Sequence, residues 1–349
     1  MLPLRMIRLL TSLFILWSSL WLTACERAPE KHHQDFYVFG TLVGVTLWAA
    51  DNDQARAAFA ELQARFQVMH EEWHPWNPGL LTDINQAFAE GRAVEAPPGI
   101  IEMIRRSQEI ESGSEGRFNP AIGRLVALWG FHTSDYPILG PPPHADSIEF
   151  LLSQEPSSLD IRIAGNTLSS TNPSVQLDFG GIAKGYAIDI ACDLLRARGI
   201  ENAIVNAGGD LRAIGRHGER AWRIAVRAPG GGVIGSLETG GDEAVFTSGN
   251  YERFRLDNEV RYPHILDPRT GWPVGDLASV TVIADEGILA DAAATAITVA
   301  GLAGWEDVAR KLGLDQVMVV DESGAVYLTR KMNGRIDLIE DTKKVVADF

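Results

Sequence analysis

Residues 175–199, VQLDFGGIAKGYAIDIACDLLRARG, constrain this chain most, because a strand-like run breaks at a glycine pair and becomes a helix within a few positions. Leu177 and Phe179 alternate with Asp178, and Gly180 and Gly181 permit an unusual backbone turn. From Ile182 the apolar spacing is helical, with Gly199 as its stop. A helix that begins at such a turn presents unpaired backbone N–H groups, where phosphate binds readily, and Lys184 in its first turn adds a positive charge. The order of residues is neither a Walker loop nor GxGxxG, and taken alone the junction reads first as a plain strand-to-helix connection with a solvated lysine. Other stretches must decide between the two.

The chain has 349 residues, 46% hydrophobic and 22% charged, enough to bury a substantial core. Its formal charge of −15 repels nucleic acid and leaves no polybasic membrane patch. The N-terminus carries Arg5 and Arg8, an apolar run from Leu9 to about Leu20, and Leu22-Thr23-Ala24-Cys25. Charge, apolar core and small residues before a cleavage point predict a secretory signal over 1–24. The Leu-Thr-Ala-Cys ending resembles a bacterial lipobox, which implies cleavage before Cys25, lipid on its thiol and a lipoprotein on a cell membrane, facing the periplasm from the inner membrane. Residues 25–35 then read as a lipidated polar tether. The alternative is an uncleaved anchor, for which the run is short. Cys192, at an apolar position of the organising helix, is expected to be a buried free thiol.

Residues 35–49 form a β-rich run with Gly40 and Gly44, and 53–70 carry apolar residues at helical spacing. There follows WHPWNPG over 73–79, where tryptophans in a rigid loop either stack on a flat ring or pack back on the core. Helices are expected over 80–88 and 99–111, and Asn119-Pro120 reads as the N-cap and first position of another. Residues 132–156 are proline-rich and read as an irregular surface excursion. A strand, a glycine turn carrying Asp210 and a second strand occupy 203–215, and TSGN over 247–250 supplies amides and hydroxyls at a turn. HILDPRTG over 264–271 is either a braced polar turn or part of a site.

In ADAAATAITVAG, over 290–301, Asp291 and Thr295 are four apart, so a carboxylate and a hydroxyl share one face of an alanine-rich helix. Oxygen ligands of this kind suit Mg²⁺, while a helix cap beside a buried threonine gives the same pattern. A last helix over 305–312 and a closing hairpin follow, and 331–349 read as a peripheral C-terminal appendage to a catalytic domain over 36–330. Short Gly-bounded strands with scattered helices predict a mixed α+β fold around one catalytic body, with two lobes and FAD between them left open, rather than the regular alternation of a Rossmann sheet.

LDFGGIAKGYAID, NAGGDLR, TSGNYERF, HILDPRTGWPV and ADAAATA, in this order behind a lipobox, resemble the ApbE family of FAD:protein FMN transferases, formerly known as thiamine biosynthesis lipoproteins. The resemblance runs from about Phe39 to Val326 and implies an ApbE-like, T-fold-like body. It also implies a Mg²⁺-dependent reaction that splits FAD and moves FMN through its phosphate to a threonine or serine of an acceptor, releasing AMP. The acceptors it implies are flavin-bearing subunits of membrane redox pumps. By the same resemblance Phe39 and Trp76 contact the flavin, Arg117, Phe118 and Asn119 form a three-residue FAD contact, and Asp178, Lys184 and His264-Ile265 also bind FAD. The Gly181 carbonyl, Asp291 and Thr295 hold the metal, and His264 is the residue that would deprotonate the acceptor hydroxyl, its imidazole being expected to titrate near neutrality. The sequence departs from the family where Asn119 replaces an aspartate and Ala294 stands where some relatives have a second one. Two other readings stay open: a periplasmic FAD-binding lipoprotein without catalysis, and a Mg²⁺-dependent FAD pyrophosphatase.

Overall fold

The computed structural model describes residues 29–349 apart from 50, 134, 252 and 341; the expected signal segment and Cys25 lie outside the described residues. A nine-stranded sheet runs through the molecule in sequence order: β1 (Glu30–Val38), β2 (Thr41–Ala49), β3 (Asn202–Ala207), β4 (Asp210–Ile214), β5 (Glu243–Gly249), β6 (Leu277–Ala284), β7 (Val317–Asp321), β8 (Val326–Leu328) and β9 (Lys344–Val346). Neighbours pair antiparallel except β8 and β9, which are parallel. Between β2 and β3 the chain leaves the sheet and builds helices α1 (Asn52–Glu72), α2 (Leu80–Ala89), α3 (Pro98–Gly113), α4 (Gly123–Trp129), α5 (Ala145–Leu152) and α6 (Ala183–Ala197). Helix α7 (Gly287–Lys311) follows β6.

The sheet buries both faces. On one, Val45, Val205 and Val280 meet Leu62 and Phe66 of α1, Ile188 and Cys192 of α6 and Ile297 of α7. On the other, Leu211, Val245, Met318 and Val320 meet Trp222 and, from a small three-stranded sheet, Ile224 and Leu237. This is the mixed α+β architecture that the sequence predicts. Helix α7 is long and apolar enough to cross a bilayer, yet most of it is enclosed by the core. It breaks at Gly301 (φ 65°, ψ −176°), where an added Cβ would lie 2.8 Å from Asp276 Oδ2, so the helices expected over 290–301 and 305–312 adjoin through one non-helical residue. Burial pushes the Cys192 thiol up to about 12, so it is a packing group rather than a reactive one.

Four expectations are corrected. The run before the glycine pair is extended but outside any sheet: Asn85 takes both backbone groups of Leu177 (Nδ2 to O 3.0 Å, N to Oδ1 2.7 Å), replacing a partner strand. Asn119 does not cap a helix; its Oδ1 accepts from Ala121 N at 2.8 Å in a turn, and α4 begins only at Gly123. The proline-rich excursion contains α5, which buries Ile148. Both ends of the expected catalytic domain also extend further. Residues 30–35 of the expected tether are strand, with His33 Nδ1 2.8 Å from Thr46 Oγ1 across the pair. The expected appendage supplies β9 and the strand Asp337–Leu338 and buries Met332 and Ile336, because apolar side chains there find the second sheet face still uncovered.

Candidate active site

A cleft of about 580 Å³ opens beside the start of α6, and every residue singled out from the scattered motifs lines it: Phe39, Trp76, Arg117, Phe118, Asn119, Asp178, Gly181, Lys184, His264, Ile265, Asp291 and Thr295. They come from the β1–β2 turn, four loops and helices α6 and α7. Asp267 of the HILDPRTG turn does not join them. Its carboxylate accepts from Arg269 N (2.9 Å), Nε (2.9 Å) and Nη2 (2.7 Å), so these two residues brace the turn while His264 faces the cleft.

One end of the cleft is aromatic. Phe39 and Gly40 form the two-residue turn between β1 and β2, with φ of 55° and 69°, and Phe39 packs edge-on against Phe66 at 5.9 Å. A left-handed backbone is costly for a bulky residue, by about 1–3 kcal/mol, and persists only where the surroundings impose it, here a primed hairpin turn. Both tryptophans of this stretch border the cleft, but Trp73 is buried against Tyr186 (5.6 Å, 18°), whereas Trp76 is half-buried beside His132. His74 Nδ1 fixes that loop by accepting from Trp76 N (3.1 Å) and Asn77 N (3.0 Å). Burial raises the Asp178 carboxyl, against the opposing pull of Gly180 N–H at 2.8 Å, the Trp76 indole N–H and His132. Asn119 donates Nδ2 to Pro156 O at 2.8 Å, a bond no ionised carboxylate could make; its amide is therefore committed within the protein.

The other end is charged. Lys184 is ion-paired with Asp210, whose second oxygen accepts from Thr247 N at 2.9 Å. Burial alone would lower the Lys184 ammonium, but the Asp210 and Asp291 carboxylates outweigh it and hold it raised. Asp291 Oδ2 accepts from Gly185 N at 2.9 Å, in the first turn of α6, and its other oxygen accepts no hydrogen bond from the described residues. Burial, with Asp210 nearby, raises its carboxyl to about 6. A Cβ on Gly181 would lie 3.2 Å from Thr295 Oγ1, so that backbone, the threonine and Asp291 share one corner. His264 is lowered to about 4 by burial, then by Arg253 and Lys184, so the expectation of a near-neutral imidazole is corrected: the ring is uncharged at neutral pH, and its Nδ1 is buried without a partner.

Sequence reasoning gave no role to Arg253 or His132 and did not pair Asp210 with Lys184. Arg253 lies in TSGNYERF, lines the cleft and sits 5.9 Å over the Tyr136 ring; among the described residues its guanidinium has no hydrogen-bond or carboxylate partner. The signal available was its position beside a polar turn, which does not distinguish it from a solvated arginine.

A largely antiparallel sheet backed by helices carries a cleft that joins an aromatic end to a lysine–aspartate cluster, the architecture of the flavin transferase fold. The chain belongs to the ApbE family, whose model matches residues 39–318. It is 42% identical over 318 residues to the FAD:protein FMN transferase of Rhodobacter capsulatus, an alignment that covers 90% of this chain but 60% of that protein. The FAD:protein FMN transferase of Vibrio cholerae is 29% identical over 83% of this chain and 87% of its own length. Among solved structures, the ApbE protein of Thermotoga maritima superposes with a TM-score of 0.78 at 30% identity, covering 87% of this chain and 98% of that one. The V. cholerae flavin transferase ApbE gives 0.76 at 26% identity, covering 88% and 99%.

Proposed function

We propose that this protein is a Mg²⁺-dependent FAD:protein FMN transferase. The observation that carries the reading is the convergence of residues from separate motifs, all expected of that activity, on one cleft with an aromatic end and a charged end. Phe39 and Trp76 would hold the isoalloxazine, and Lys184 and Arg253 would face the pyrophosphate. The oxygen set of Asp291, Thr295 and the Gly181 carbonyl fits a hard cation: Asp291 keeps one oxygen uncommitted, and a cation there would hold its raised carboxyl ionised. When bound, Mg²⁺ supplies charge neutralisation at the phosphates.

In the reaction the acceptor hydroxyl oxygen bonds to the FMN phosphorus as the bond from that phosphorus to the AMP oxygen breaks, and AMP leaves with the pair. His264, uncharged and with Nδ1 free, is suited to take the hydroxyl proton, and the dianionic pyrophosphate would raise its weak basicity once bound. In-line placement follows from holding the flavin at one end and the phosphates at the other. The acceptor class is a protein threonine or serine, in flavin-bearing subunits of membrane redox pumps, met from a lipid anchor on Cys25 at the periplasmic face. The test is to incubate the mature protein with FAD, Mg²⁺ and a candidate acceptor and weigh the acceptor intact. Gain of one FMN with stoichiometric AMP supports transfer. FMN and AMP free in solution would instead mean hydrolysis, and unchanged FAD would mean storage.

A further inference from the structure

Helices α6 and α7 begin side by side and close each other's first turn. Asp291 on α7 accepts from Gly185 N of α6 at 2.9 Å, and Asp189 on α6 accepts from Gly287 N (2.8 Å) and Ile288 N (2.9 Å) at the start of α7. Neither helix caps itself with a side chain at its own N-cap. The approach is so close that a Cβ on Gly185 would sit 2.2 Å from Gly287 O, and one on Gly287 2.7 Å from Gly185 O. Asp189 is buried and gripped from the sheet side by Arg212, Nη1 to Oδ1 at 2.6 Å, and Arg212 is itself held by Asp242 at 2.9 Å.

We infer that Asp189, braced by Arg212, is a positioning residue: by fixing where α7 starts against α6 it sets where the Asp291 carboxylate and Thr295 stand relative to Lys184 and Gly181. The inference rests on the proposed metal site, one helical turn beyond the contact. The sequence spacing supports it, since Asp189 follows Lys184 by five residues and Asp291 follows Gly287 by four, so each helix carries its partner's cap about a turn inside itself. Buried carboxylate caps of this type fix a helix end in position because moving either helix would leave charged and N–H groups unpaired at once. Asp189 does not line the cleft; it acts through the backbone of α7, and its charge adds a smaller upward push on the Asp291 carboxyl.

The test is Mn²⁺ titration of the full mature chain without FAD, read by electron paramagnetic resonance, alongside FAD titration and thermal melting. Asp189→Asn keeps the shape but turns one acceptor into a donor facing an N–H or Arg212. It is expected to weaken Mn²⁺ binding by about 10–100-fold, the usual effect of disturbing a group that orients a ligand, while FAD affinity stays near that of the parent. Arg212→Met, which leaves both caps but removes the brace, should move Mn²⁺ affinity in the same direction, and Arg212→Lys should recover most of it because a cation again faces Asp189. A melting temperature that drops with Mn²⁺ affinity unchanged in the soluble variants would make Asp189 merely structural and overturn the inference alone. A parent that binds no Mn²⁺ would overturn the metal reading, and this inference with it.

Discussion

The two ends of the cleft are built on opposite plans. The charged end stands on helices α6 and α7, whose first turns interlock through the buried carboxylates of Asp189 and Asp291. The aromatic end hangs on a hairpin turn and two loops, with Trp76 and His132 partly open to solvent. A site that must neutralise charge at fixed atoms needs its groups held to fractions of an ångström, and crossing helices supply that. A platform for a flat ring needs area and tolerates small displacements. Substitutions at the charged end should therefore affect rate, and those at the aromatic end affinity.

The largest effect expected is at His264. If it takes the acceptor proton, His264→Ala should leave FAD and metal affinity nearly intact and slow single-turnover transfer at saturating FAD by about 10²–10⁴. A normal rate at saturating FAD would remove it as the base. Because the free ring titrates at about 4, the acid limb of kcat/KM should lie well below neutrality, and that of kcat higher, since bound pyrophosphate stabilises the imidazolium. Coincident limbs would break the electrostatic argument. Next is Asp291→Ala, which should reduce transfer at limiting Mg²⁺ by roughly 10²–10³, the scale of one lost electrostatic contact to the reacting group, without unfolding the chain. Unchanged transfer there would sink the metal assignment.

At the other end, Trp76→Ala should weaken FAD binding by about 1–3 kcal/mol, the scale of base–aromatic stacking, and leave kcat within a few-fold. Equal affinity would mean that the loop tryptophan is packing alone, and a collapse of kcat would erase the contrast between the ends. The smallest effect is a pH dependence. The Asp291 carboxyl is raised from 3.8 to about 6, so in the metal-free fold it keeps its proton over that interval, and its contribution to stability is present below 3.8 and lost as pH rises through 6. Metal and proton compete for it, so Mg²⁺ affinity should fall by up to about tenfold per pH unit below 6 and be flat above 7, read by calorimetry. Affinity that is flat from pH 5 to 8 would exclude Asp291 as a ligand.

The same contrast governs how much was legible in the sequence. Asp291 and Thr295 four apart, and a lysine one turn into a helix after two glycines, are patterns that a periodicity makes visible, and the fold places them together. The Lys184–Asp210 pair and the Asp189–Arg212 brace join residues 26 and 23 positions apart through tertiary packing, for which no local rule exists. Asn85 standing in for a β-strand at Leu177 defeated the strand reading for the same reason: its partner lies 92 positions away. The tail misled because its strands are only two and three residues long, too short for alternation to show.

The last strand carries a further implication for how the molecule is made. Ala347 N bonds Leu328 O at 2.8 Å, Arg330 N bonds Phe349 O at 2.8 Å, and the Phe349 ring lies under Arg310 at 4.0 Å and 6.0 Å from Trp305. Phe349 is thus seated against the helix that carries Asp291. A chain delivered N-terminus first can assemble its early hairpins and helices in order, but the edge of the sheet beside β8 stays open until residues 344–349 have emerged. Removing that segment would uncover the β8 edge and strip the Phe349 ring from Trp305 and Arg310.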